Sequence, residues 1–103
     1  MSDHGAFHWN ELNTRDTEKA KRFYEETLGW TFEDMPMDFG SYWVAKAGDR
    51  MVGGLFDMNA IDMPKDVPEH WMSYIAVDDV DKRVAKGKKA GATIIHEPVD
   101  VPR

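Results

Sequence analysis

The residue best placed to do chemistry is Glu11, in the run FHWNEL. It falls two residues after Trp9 and two before Asn13, and alternation along an extended strand puts the three on one face. A carboxylate there can act as a general base or as a polar anchor for a ligand. It can equally be a hydrogen-bonded structural acid within a sheet, since buried acids are paired. Asn13 could orient a ligand carbonyl, or cap the turn that follows. His70 opens a second extended run, HWMSYI, and shares a face with Met72 and Tyr74. Its imidazole suits a metal ligand, a general acid–base or an ordinary strand-end histidine. The other histidines, His4, His8 and His96, form no short-spaced pair, so no metal motif is spelled out. Trp9, Trp43, Phe56, Met72 and Tyr74 offer bulk for an apolar cleft lining, the usual form of a small-molecule site. The same side chains could be core or subunit interface.

These side chains need elements to hold them. Phe7 to Leu12 reads as a strand. Asp16 is placed to cap a helix whose Ala20, Phe23, Tyr24, Thr27 and Leu28 share one face, and Gly29 would end it. Three strand-like runs follow: Trp30 to Met35, Ser41 to Ala47, and Arg50 to Met58. The last carries Gly53-Gly54, which points to a bulge or a close backbone approach. No helix or Lys-Ser/Thr follows the pair, so it is not a phosphate loop. Residues 59–69, with two prolines, read as a linker. Then a strand is expected from Trp71 to Val77, a helix from an Asp79 cap through Val80 to Ala90 with Val80, Val84 and Gly87 on its inner face, a Gly91 stop, and a strand from Ala92 to His96. Trp30 and Trp71 are expected to face the helices as core.

Strand, Asp cap, amphipathic helix and glycine stop thus occur twice, from Asp16 to Gly29 and from Asp79 to Gly91. The organisation expected is a first βαβββ module over 1–58, a linker over 59–69, and the start of a second module over 70–103. The symmetry implies that about two strands of the second module lie outside this chain.

Composition narrows the function classes. With 13 Lys and Arg against 19 Asp and Glu, the net charge of −6 disfavours nucleic acid and anionic membrane as partners. Lys82, Lys86, Lys88 and Lys89 are most simply a solvated helix face. The absence of cysteine excludes disulfide, zinc–thiolate and iron–sulfur chemistry. No apolar run reaches membrane-spanning length and no signal peptide is evident, so a cytoplasmic location is expected.

Three segments, ELNTRDTEKAKRFYEETLGW, MVGGLF and HWMSYIAVDDVDKRVAKGKKAGATII, resemble the glyoxalase/bleomycin-resistance/dioxygenase (vicinal oxygen chelate) superfamily. The resemblance implies an α+β fold in which paired βαβββ modules form a curled mixed sheet around a cleft, the second module being incomplete here. Two full modules close the cleft, in one chain or across a dimer, so a homodimer is expected. In metal-dependent members the cleft holds one divalent cation on His and Glu. Registered on Asp16, Phe23-Tyr24 and Val77-Asp78, those ligand positions fall on Trp9, Gly54 and Met72, with the fourth beyond Arg103. Trp, Gly and Met make no hard-metal site, so no cofactor is expected. The reading that follows is a binder of a small-molecule ligand, with Trp9, Asn13, Trp43, Phe56, Met72 and Tyr74 as ligand-binding residues and Glu11 and His70 as the catalytic candidates. Two alternatives stay open: a metal-dependent lactoylglutathione-lyase-like isomerase or dioxygenase, and a dimeric interaction module without small ligand.

Overall fold

The computed structural model describes residues 3–38 and 40–99. Its elements run β1 (Phe7–Thr14), α1 (Thr17–Leu28), β2 (Thr31–Met37), β3 (Gly40–Ala47), β4 (Arg50–Asp57), a 3₁₀ turn (Met58–Ala60), β5 (His70–Ile75) and α2 (Val80–Lys89). Together they are an α+β fold with a five-stranded mixed sheet in the order β2-β3-β4-β1-β5. The chain divides into two compact units, Trp9–Tyr74 and a second one made of Met1–His8 with Ile75–Arg103.

The helix boundaries follow from local chemistry. The Asp16 carboxylate accepts from the Lys19 amide at 3.0 Å, satisfying one of the free N–H groups of the first turn of α1. Gly29 closes the helix at φ 71°, its own N–H bonding the Glu25 carbonyl, a conformation that side-chain-bearing residues resist. Asp79 repeats the cap on α2, accepting from the Lys82 amide at 3.0 Å, and Gly91 follows at φ 106°.

In the Trp9–Tyr74 unit, β1 runs parallel to β4, with Glu11 opposite Gly54 and Asn13 opposite Phe56. β3 runs antiparallel to both β2 and β4. The bulge expected near Gly53 is present: Ala45 faces Gly53 but Lys46 faces Met51, so Val52 is the extra residue. The apolar core of the described residues is small, consisting of Val44, Ala45, Leu55 and Met58.

Three expectations are corrected. The inner face of α1 is Thr17, Ala20, Lys21 and Tyr24, whereas Phe23 and Leu28 are exposed. Lys21 takes an inward place because its ammonium sits 3.3 Å from the centre of the Trp43 ring while its aliphatic stem is covered. Trp71 does face α1, donating its indole N–H to the Tyr24 hydroxyl at 3.2 Å, but it is half-exposed rather than core. Ala92 to His96 is not a strand, and Ile95 is 97% exposed. A strand needs a partner for its ladder. Here the Ala92 amide turns back to the Gly87 carbonyl, and His96 bonds the neighbouring Glu97 carbonyl.

Candidate functional site

Within the Trp9–Tyr74 unit, one face of the sheet carries Trp9, Glu11 and Asn13 from β1 and His70, Met72 and Tyr74 from β5. The opposite face carries Asn10, which accepts from the Ser73 hydroxyl, and Trp71, which reaches α1. This is the alternation that places Glu11 between Trp9 and Asn13.

The centre of the first face is Tyr42 of β3. Val44 lies opposite Gly54, so Tyr42, two residues from Val44, stands on the side of Gly54. Its ring leans across β4 to reach β1. The Trp9 indole N–H donates to the Tyr42 hydroxyl at 2.9 Å, and Glu11 lies close enough for its charge to act on that hydroxyl. This crossing is possible only because position 54 lacks a side chain. A Cβ on Gly54 would lie 2.0 Å from the Tyr42 oxygen and 2.3 Å from the ring carbon bearing it. The close backbone approach read from Gly53-Gly54 is therefore aromatic ring over glycine at position 54. At Gly53 a Cβ would fall 2.6 Å from the Asn10 carbonyl oxygen of the adjacent strand.

From the other side the Tyr74 hydroxyl donates to Glu11 Oε2 at 3.2 Å. The carboxylate thus lies beside two phenols and accepts from Tyr74. Partial burial, and then the negative charge of Glu11, push the Tyr74 hydroxyl up to about 12. Burial is also the leading cause that pushes Tyr42 still further above the ordinary tyrosine value, against the lowering effect of the Trp9 bond. Both phenols therefore keep their protons, and both remain donors, at any physiological pH.

A second polar pair lies toward the end of β1. Asn13 is buried, and its Nδ2 lies 3.4 Å from His70 Nε2. His70 Nδ1 lies 2.7 Å from the Pro68 carbonyl oxygen, which can only accept. These contacts assign the proton to Nδ1 and leave Nε2 to accept from Asn13. The β5 start is held further by Glu69, which accepts from the Thr14 hydroxyl and, at 2.8 Å, from the Arg15 amide. Those donors, Thr14 first, hold the Glu69 carboxyl below its ordinary range.

The structure therefore brings Trp9, Glu11, Tyr74, Asn13 and His70 to one face. Phe56, the register partner of Asn13, is there too and half-buried, and Met72 is 41% exposed between His70 and Tyr74. Trp43 is the exception. It lies opposite Leu55 in the register and beneath Lys21 of α1, on the other side of the sheet. A strand's side chains alternate, so the residue that faces Glu11 is its neighbour Tyr42. Sequence reading passed over Tyr42. The signal available for it was a glycine pair on the following strand-like run, which marks where a large side chain from a neighbour can cross.

The positions that the resemblance assigns to a divalent cation carry no ligand suited to one. Trp9 spends its only polar hydrogen on Tyr42, Gly54 lies under the Tyr42 ring, and Met72 offers a thioether, a poor partner for hard cations. Among the described residues, no three of His, Cys, Asp and Glu converge on a point that could hold a metal.

Comparison with known proteins gives this geometry a setting. The family model described as Glyoxalase/Bleomycin resistance protein/Dioxygenase superfamily matches residues 6–103. The chain is 43% identical over 103 residues to "Putative glyoxylase CFP32" of Mycobacterium tuberculosis, covering 99% of this chain and 38% of that protein. It is 31% identical over 99 residues to "Anthracycline biosynthesis protein DnrV" of Streptomyces peucetius, covering 96% of this chain and 35% of that protein. The chain therefore spans well under half the length of these relatives.

Proposed function

The chain belongs to the glyoxalase/bleomycin resistance protein/dioxygenase superfamily, and from that premise we propose that it binds a small aromatic molecule without the divalent cation of the metal-dependent members. The observation that carries this is the Tyr42 phenol laid over Gly54 and bonded to Trp9, beside a Glu11 carboxylate that accepts from Tyr74. Aromatic surface beside a few fixed polar groups is the chemistry of a small-molecule site. A relative named for anthracycline biosynthesis makes an anthracycline the first ligand to try.

Native mass spectrometry of the purified chain, followed by titration with an anthracycline, tests the reading. The expected results are a co-purifying or added ligand in stoichiometric amount and saturable quenching of tryptophan fluorescence that Trp9→Phe reduces. Absence of both would end it. A homodimer is the form proposed to close the site, and sedimentation velocity would find it or not.

One observation favours a second reading, a metal-dependent isomerase or dioxygenase. His70 turns Nδ1 to the Pro68 carbonyl, so Nε2, 3.4 Å from the Asn13 amide nitrogen, is the atom that a metal would take in place of that long contact. Elemental analysis decides between the two. Stoichiometric divalent metal, together with turnover of a methylglyoxal–glutathione adduct, would favour the enzyme.

A further inference from the structure

The hydrogen-bond inventory of the Trp9–Tyr42–Glu11–Tyr74 cluster carries an inference about what kind of aromatic it takes, and it rests on the ligand-binding reading above. Two donors in the cluster are committed: the Trp9 N–H goes to Tyr42 Oη and the Tyr74 hydroxyl hydrogen to Glu11 Oε2. An indole nitrogen has one hydrogen and no acceptor, and a phenol has one hydrogen. What is left over on Glu11 is acceptor capacity. A carboxylate offers about four lone-pair directions, of which the Tyr74 phenol takes one.

We infer that the cluster selects its ligand through a hydrogen bond donated to Glu11, taking neutral aromatic molecules that carry a hydroxyl or N–H and refusing their ether and carboxylate counterparts. An ether brings Glu11 an acceptor and no hydrogen, and the Glu11 charge goes uncompensated where ligand displaces water. A carboxylate adds like charge to Glu11. The Tyr74 hydroxyl on β5 holds one oxygen of the carboxylate at 3.2 Å, which leaves its remaining lone pairs to the ligand. Selection of this kind needs no cation, because the charge that does the sorting belongs to the protein. The position where metal-dependent members would supply a ligand for a cation is Gly54, over which the Tyr42 ring lies.

Three matched probes test this on the whole chain: 2-naphthol, 2-methoxynaphthalene and 2-naphthoate, each titrated at neutral pH by calorimetry. The naphthol is expected to bind roughly tenfold or more tightly than the methyl ether, as a bond to a charged acceptor implies, and the naphthoate weakest of the three. Glu11→Gln, which replaces a pure acceptor by a group that can also donate, is expected to bring the naphthol and ether affinities within about twofold of each other. Tyr74→Phe, which leaves Glu11 in place, is expected to keep the preference. Equal binding of naphthol and ether by the unaltered chain, or tightest binding of the naphthoate, would overturn the inference while leaving the ligand-binding reading standing. Binding of none of the three, nor of an anthracycline, would remove both. A preference for naphthol that survives Glu11→Gln unchanged would also overturn it, because the selecting acceptor would then lie elsewhere.

Discussion

A single missing side chain decides how this site is built. Tyr42 reaches β1 only by passing over Gly54, so the two residues are energetically coupled. Gly54→Ala puts a methyl group where the Tyr42 oxygen and ring now lie. The ring must then tilt away and give up the Trp9 bond. A loss of about 1–3 kcal/mol is expected, typical of overpacking. Tyr42→Ala alone also costs stability, since it leaves the Trp9 N–H without its partner. The double variant should nevertheless lose less than the sum of the two, because the alanine methyl then has space. Urea denaturation of the four proteins measures that coupling, and additive losses would contradict the crossing. Tyr74 makes a second prediction. Burial and Glu11 raise its hydroxyl from the ordinary value of 10.0 to about 12. A phenol raised on folding favours the folded state most fully below pH 10 and loses that contribution as pH climbs toward 12. Stability should therefore fall over that interval, and Tyr74→Phe should flatten the fall. Ultraviolet absorbance at 295 nm should show less phenolate at pH 11 in the folded protein than in the unfolded one, with the difference shrinking in Tyr74→Phe.

The elements differ in how openly their sequences declare them. Both helices were legible to within a residue or two because their ends are written in local chemistry: a carboxylate that bonds an amide three residues on, and a glycine in the left-handed region. Asp16→Ala and Asp79→Ala should each cost about 1 kcal/mol in a thermal melt, the usual worth of such a cap, and the Asn replacements should restore most of it. A result near zero would mean that water serves the first turn equally well. The faces of β1 and β5 were also legible, through alternation around Glu11 and His70. β3 was not. In SYWVA both aromatic residues are plausible on either side, and what separates them lies outside the strand. Lys21 on α1 claims Trp43, and Gly54 on β4 admits Tyr42. The same limit applies to Ala92–His96, whose residue types suit a strand but which pairs with no strand among the described residues of this chain. Local pattern states a preference for extended structure, and only pairing realises it.

At the scale of the whole molecule, acid acts on each compact unit by itself, because each holds a carboxylate whose proton affinity its neighbours depress. Glu69 is held down by the Thr14 hydroxyl and the Arg15 amide, both within the Trp9–Tyr74 unit. Asp78 is held far below its ordinary value by the two bonds it accepts from Arg83, within the unit made of both ends of the chain. A depressed carboxyl stabilises the folded state above its ordinary value and loses that contribution as pH falls through the depressed one. The windows therefore open downward from about pH 4.5 for Glu69 and from about pH 3.8 for Asp78. Both groups are exposed, so solvent and salt screen them and the effect should shrink at high ionic strength. Glu69→Gln keeps an acceptor but removes the charge, which should lower the urea midpoint at pH 7 and reduce its fall below pH 4.5. Arg83→Gln should shift amide exchange in α2 and leave the Trp9–Tyr42 cluster unchanged. Hydrogen exchange read residue by residue from pH 5 to pH 3 separates the two, and a Glu69→Gln profile that falls as steeply as the parent would mean that this carboxylate does not anchor the start of β5.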